Sequence, residues 1–220
     1  MKDSGRILIE SFCSIIETRG FASNSHCEHI RRFTQVILEK VVRFCPEYEL
    51  TEKDCEQIIT ASAMHDVGEI LVPDRILQKP GRLTFDEFQI VKSHTRKGKK
   101  IFDHAREQMS ESDPDYRLFD FCADICMYHH EKYDGRGYPE QLKGNDIPIW
   151  AQVVGLVDAY DSLLSERIYK PAFSKEEAFD MIVGGECGTF NPRLIEIFRM
   201  VRMELEEIAD IVEDSPAYTF

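Results

Sequence analysis

Residues 129–139 read His-His-Glu-Lys-Tyr-Asp-Gly-Arg-Gly-Tyr-Pro. Two adjacent imidazoles, strong transition-metal ligands, end an apolar run at helical spacing (Phe121, Ile125, Met127, Tyr128). Two glycines and a proline follow within a few residues, so the chain can turn sharply beside the pair. His65-Asp66 is a second pair. Neighbours on an α-helix point about 100° apart, so the imidazole can address one ion while the carboxylate bridges to another, and His129 and His130 can divide in the same way. Asp158 and Asp161, three apart, share one face of a helix that is otherwise apolar, and a carboxylate on a buried face needs a partner. Taken singly, a lone helical histidine is more often a hydrogen-bonded or surface residue than a ligand. Taken together, His65, Asp66, His129, His130 and Asp158, all beside apolar helix ends, point to metal. The mixed imidazole and carboxylate set suits Fe, Mn or Zn better than Ca or Mg and lacks the Cys/His spacing of a structural zinc. The chemistry it implies is attack on phosphorus by metal-activated hydroxide, with the ions stabilising the charge that develops.

The elements that must position these residues read as helices almost throughout. Helical periodicity covers 4–19 (Ile7, Leu8, Ser11, Phe12, Ile15, Ile16) and 26–44 (Ile30, Phe33, Ile37, Val41, Phe44). A third helix opens at Thr51, with Asp54 as capping partner, and runs towards Gly68. Pro73, Pro80 and Gly81 mark 72–84 as a loop. Further helices are expected at 84–107, 114–130, 148–165, 174–185 and 192–209, with room for a short hairpin at 142–149. An all-α domain over 1–209 with a loosely ordered tail at 210–220 is the economical organisation. The 220 residues carry 43% hydrophobic and 30% charged side chains, as in an ordinary globular protein. No run approaches membrane-span length. Arg6, Glu10, Glu17 and Arg19 do not suit a signal peptide, so a cytoplasmic location is expected. The seven cysteines form no CxxC and read as reduced apolar residues, Cys27 standing out only because it adjoins His26. A net charge of −13 argues against binding a nucleic-acid polymer, but metals and local arginines can still make one pocket attractive to a small anion.

His65-Asp66 resembles the signature of the HD phosphohydrolase superfamily. Residues 129–139 are similar to the longer HHExxDGxGYP signature of its HD-GYP branch at every specified position. The resemblance covers roughly 5–205 and includes Val72-Pro73-Asp74, Lys79-Pro80-Gly81, Val157-Asp158-Ala159-Tyr160-Asp161 and Gly188-Thr189-Phe190-Asn191-Pro192. It implies an all-α HD-superfamily helical bundle with additional C-terminal helices. The implied activity is a metal-dependent phosphodiesterase that opens cyclic di-GMP or a related cyclic dinucleotide to linear pGpG or GMP through a metal-bridging hydroxide. By motif, the ligands implied are His26, His65, Asp66, His94, His129, His130 and Asp158. They would hold two divalent transition metals, iron or manganese foremost, with zinc or nickel as alternatives. Arg167 and Lys170 are the implied phosphate contacts. Gly137, Tyr138 and Pro139 shape the pocket rim, and the loop is implied to meet a GGDEF-type or other signalling protein. A homodimer is a further expectation. The basic run Arg96, Lys97, Lys99, Lys100 reads as a solvated face.

Three positions depart from the family pattern. Glu69 replaces the lysine of HDxGK, which puts negative charge where the substrate phosphate should sit. As a carboxylate it could bind metal or accept a proton, and it is therefore set beside Asp66 as a catalytic candidate. Its alternative is a weakly active or inactive metal-binding regulatory module. Ala22 stands where three-metal members carry Glu, which favours two metals. His29 replaces a usual Arg one helical turn from His26 and could compete as a ligand. Because the resemblance starts almost at Met1, no sensory domain is expected ahead of the helical domain, and the chain would be free-standing or one fragment of a larger system. A nucleotidase of the wider superfamily is a further alternative, disfavoured by the intact GYP loop.

Overall fold

A computed structural model describes residues 7, 9, 11–13, 15, 25–165 and 172–213, with side chains to 211. Ten helices are bounded among them: α1 His26–Phe44, α2 Glu52–Ser62, α3 Asp74–Leu77, α4 Phe85–Lys92, α5 His94–Glu107, α6 Tyr116–Tyr128, α7 Ile149–Leu164, α8 Lys175–Gly184, α9 Pro192–Met200 and α10 Arg202–Glu213. No strand occurs among the described residues. The all-α expectation holds, and the hairpin expected at 142–149 is instead a single 3-10 turn at Gly144–Asp146.

The helix starts follow local chemistry. Thr51 and Asp54 form the reciprocal capping box expected for α2, and Thr84/Glu87 and Ser174/Glu177 repeat it at α4 and α8. Several ends differ from expectation. The third helix stops at Ser62, because His65 and Asp66 sit in tight turns leading into a 3-10 helix at Val67–Leu71. The expected helix at 84–107 breaks at Ser93, whose N–H is shared between the Gln89 and Ile90 carbonyls. The last helix breaks at Val201 and then continues to Glu213, four residues past the expected boundary of the tail; 214–220 lie outside the described residues.

Helix α1 is the hub. It buries Ile30, Phe33, Ile37, Leu38 and Val41 and packs on α2, α7, α9 and α10, while α6 packs on both α2 and α5. Phe33, Tyr160, Phe198 and Phe179 run ring to ring (5.6, 5.2 and 5.1 Å) from α1 through α7 and α9 to α8. In the N-terminal segment Ile9 and Cys13 are buried and Phe12 is half-buried, whereas Ile7, Ser11 and Ile15 are exposed. Leu8 and Ile16 of the expected face lie outside the described residues. None of the seven cysteines is joined in a disulfide. No described helix is long and apolar enough to cross a membrane.

Candidate metal centre

The seven implied ligands come together from helix ends. His26 opens α1, His65 and Asp66 occupy the turn after α2, His94 opens α5, and His129 and His130 follow α6; Asp158 alone lies inside a helix, α7. Helix ends suit this task, since a side chain there can face a cavity without crossing a neighbouring turn.

Backbone carbonyls set the tautomers. His65 Nδ1 donates to the Ser62 carbonyl at 2.9 Å, His94 Nδ1 to Val91 at 2.8 Å, and His129 Nδ1 to Ile125 at 2.8 Å. A carbonyl only accepts, so each Nδ1 carries a proton and each Nε2 is the atom left to face the cavity. His26 Nδ1 is spent in the same way on Asp161 Oδ2 at 2.6 Å. Those Nε2 atoms converge. His94 and His129 Nε2 lie 3.1 and 3.4 Å from Asp66 Oδ1, and His65 Nε2 lies 3.3 Å from Asp66 Oδ2. His26 Nε2 faces His65 Nε2 at 3.2 Å. Asp66 Oδ1, His94 Nε2 and His129 Nε2 are buried without a hydrogen-bond partner. Acceptors pointed at acceptors repel, and only protons or cations between them make the arrangement stable.

The donor atoms form two groups that share one residue: Asp66, His94, His129 and His130 in one, His26, His65 and Asp66 in the other. This is a fit for two transition-metal ions with Asp66 common to both. Asp158 stands beside them, 3.6 Å from His65 Nε2 but outside both groups. In the metal-free cluster burial would lower His65 and His94, yet the Asp66 carboxylate beside them holds both above an ordinary histidine, so a proton on Nε2 is favoured where no ion is bound. Burial would lift Asp66, yet His65, His129 and His94 hold it well below the carboxylate range. Burial and then His129 and His94 push His130 well below an ordinary histidine, which keeps its ring neutral and ligand-ready. Glu69 faces the same cluster; without cations, burial and then the Asp66 charge lift it to about 8.

The supporting residues were largely hidden in the sequence. Asp161 takes His26 on one oxygen and His29 Nδ1 on the other, each at 2.6 Å. His29 thus joins neither ligand group. Gly68 and Gly155 let backbones pass where a Cβ would meet the His94 carbonyl oxygen at 2.0 Å and that of His129 at 2.1 Å. A glycine amid Val153-Val154-Gly155-Leu156-Val157 was a readable sign of such an approach. Glu131, buried, accepts from the backbone N–H of Glu140, Gln141 and Leu142 (2.7, 3.0 and 3.1 Å) and so closes the loop after the histidine pair. Gly137 rests against the backbone of Glu131 and Lys132, and Tyr138 packs on the His130 ring at 4.6 Å. The Pro139 carbonyl accepts from Arg96, which also pairs with Glu140 at 2.7 Å, and Lys97 Nζ donates to the Leu71 carbonyl at 2.9 Å. Part of the run expected to be a solvated face is therefore fastening the site's loops. Cys27 is buried, with Sγ 3.9 Å from the Ala63 carbonyl. Arg167, Lys170 and Ala22 lie outside the described residues.

A family model described as the HD domain matches residues 22–194. The chain is 34% identical to a cyclic di-GMP phosphodiesterase of Vibrio cholerae serotype O1, over 98% of this chain and 43% of that protein. A cyclic di-GMP phosphodiesterase of Thermotoga maritima matches at 32%, over 91% of this chain and 50% of its own length. A 3'3'-cGAMP-specific phosphodiesterase of Vibrio cholerae matches at 29%, over 90% and 35%. The chain thus spans half or less of the length of these relatives. Among solved structures, a cyclic GMP-AMP specific phosphodiesterase of Vibrio cholerae shares the fold with a TM-score of 0.58 at 17% identity, over 95% of this chain and 54% of that one.

Proposed function

The chain belongs to the HD domain family, in its HD-GYP branch, and from that premise we propose that it is a two-metal phosphodiesterase that opens cyclic dinucleotides, cyclic di-GMP foremost. The observation that carries the reading is the convergence of the His65, His94 and His129 Nε2 atoms on the two oxygens of Asp66. On this reading His26, His65 and Asp66 hold one ion, and Asp66, His94, His129 and His130 hold the other, with Asp158 completing the set from α7. Iron or manganese suits these donors, with zinc or nickel as alternatives. Bound there, such ions lower the pKa of water and neutralise charge building on the phosphate.

The chain's own groups supply the rest. Nδ1–H donation to carbonyls and to Asp161 fixes the His26, His65, His94 and His129 rings and sharpens their basicity. Glu69, turned towards the cluster, takes up the proton that attacking water releases. Arg167 and Lys170 hold the phosphate, for which a guanidinium and an ammonium are the suited donors. Gly137, Tyr138 and Pro139 form the rim, and the outer side of that loop is the surface offered to a signalling partner.

The test is anaerobic loading with Fe(II) or Mn(II), metal quantification, and incubation with cyclic di-GMP and 3'3'-cGAMP. Linear dinucleotide or mononucleotide is expected, at a rate on the order of 1 s⁻¹. A protein shown to carry both metals that leaves every cyclic dinucleotide intact overturns the proposal. Recovery of turnover by Glu69→Lys in that case would identify a binding module silenced by the carboxylate.

A further inference from the structure

Helix α4 lies beside the metal centre without burying a single residue. Its N-terminal end is nevertheless fastened. Its capping box uses Glu87, and Lys79 Nζ reaches the same carboxylate at 2.6 Å. From it Phe88, 41% exposed, meets Tyr138 edge to face, with ring centroids 6.4 Å apart at 74°. One turn on, Lys92 Nζ sits 4.8 Å from the Phe88 centroid and 4.9 Å from that of Tyr138. Tyr138 in turn packs on the ligand ring of His130, and its loop is tied down by Glu131 and Arg96. Lys79, Arg96 and Lys99 each pair with a carboxylate. Among the described residues no carboxylate pairs with Lys92, in a chain of net charge −13. An ammonium kept over two ring faces, with its donors unspent, lies one ring away from a metal ligand.

We propose that Phe88, Lys92 and Tyr138 form a purine-recognition platform at the mouth of the metal centre, and that Lys92 biases it towards guanine; this deepens the cyclic-dinucleotide reading and rests on it. A purine has a flat π face that an exposed aromatic ring can stack, and such stacking tolerates any base. Discrimination comes from the edge. Guanine presents two acceptors there, O6 and N7, whereas adenine presents the N7 acceptor beside an N6 donor. A lysine has donors only, so it gains two partners from guanine and meets a clash of donors at adenine.

The test uses mononucleotides, which contain no diester to cleave. Calorimetry on the metal-loaded full chain compares GMP, AMP and inorganic phosphate. Wild type is expected to bind GMP more tightly than AMP, by on the order of five-fold. Phe88→Ala weakens both nucleotides roughly ten-fold and leaves phosphate unchanged. Lys92→Met erases the preference for GMP, and Lys92→Arg retains it. These positions lie on a helix with no buried residue, so the variants keep the fold. Unchanged nucleotide affinity in Phe88→Ala and Lys92→Met overturns the inference, as does an equal loss of phosphate binding, which would mean bulk electrostatics only. A wild type that binds neither nucleotide also overturns it. Should GMP binding depend on Phe88 and Lys92 while cyclic di-GMP stays uncleaved, the platform stands and the diesterase reading falls.

Discussion

His26 and His65 face each other Nε2 to Nε2 at 3.2 Å, while the Nδ1 of each is already committed, to Asp161 and to the Ser62 carbonyl. Neither ring can donate to the other without a second proton. A proton or a cation must lie between them, a cation on the two-metal reading, and His94 and His129 repeat the same logic across Asp66. Metal content should therefore divide by group. His26→Ala is expected to lose about one of two metal equivalents, His94→Ala or His129→Ala the other, and Asp66→Ala both. Elemental analysis of the purified variants checks this, with circular dichroism to confirm folding. Two equivalents retained by Asp66→Ala would contradict the shared site.

Asp161 positions His26 without touching either ion site directly. Asp161→Asn leaves one carbonyl oxygen for two imidazole N–H donors and adds an NH₂ that points at one of them. Partners that orient a metal-binding imidazole in this way are typically worth 10–100-fold in metal affinity. Chelator competition should show a loss of roughly that size at the His26 and His65 site and a much smaller one at the His94, His129 and His130 site. Equal weakening of both sites would mean that Asp161 acts on the fold at large.

How legible this centre was from sequence differs by residue. His65, Asp66, His129 and His130 stood out because paired ligands at helix ends leave a mark at one or two positions. His26 and His94 are single histidines in ordinary amphipathic helices, and only the family motif picked them out. Asp161 was visible as a carboxylate needing a partner, but its two histidines lie 135 and 132 residues away, and no local pattern encodes that pairing. The helix breaks at Ser93 and Val201 were missed because periodicity carries across a one-residue kink. Glu131 was masked by the motif around it, since its role is to satisfy three N–H groups of a loop that closes only in three dimensions.

Gly155 and Gly184 make a paired test of packing. A methyl at Gly155 would meet the His129 carbonyl oxygen, which belongs to backbone and cannot swing aside; at Gly184 nothing stands within 4 Å. Gly155→Ala is expected to cost about 2–3 kcal/mol or more, or on the order of 5–10 °C in Tm, and to loosen metal binding by shifting His129. Gly184→Ala, at the last position of α8, should be neutral or stabilising by up to about 1 kcal/mol. Thermal unfolding of both variants checks the contrast, and similar melting for the two would remove the backbone contact as the reason for glycine at 155.

Glu69 gives a pH test with a definite sign. In metal-free protein, burial and the Asp66 charge lift its carboxyl to about 8 from an ordinary 4.5. The folded state then keeps a proton that the unfolded chain has released. Stability from this group is intact below about pH 4.5 and is lost as the pH rises towards 8. Glu69→Gln has no proton to lose. In chelator-treated samples the variant should therefore melt above wild type, by a margin that grows from pH 5 to pH 8. Cations in the site reverse the local field, so metal loading should shrink the margin. A margin that is flat with pH in metal-free protein would show that Glu69 does not face the cluster's charge, and would remove it as the group that handles the proton.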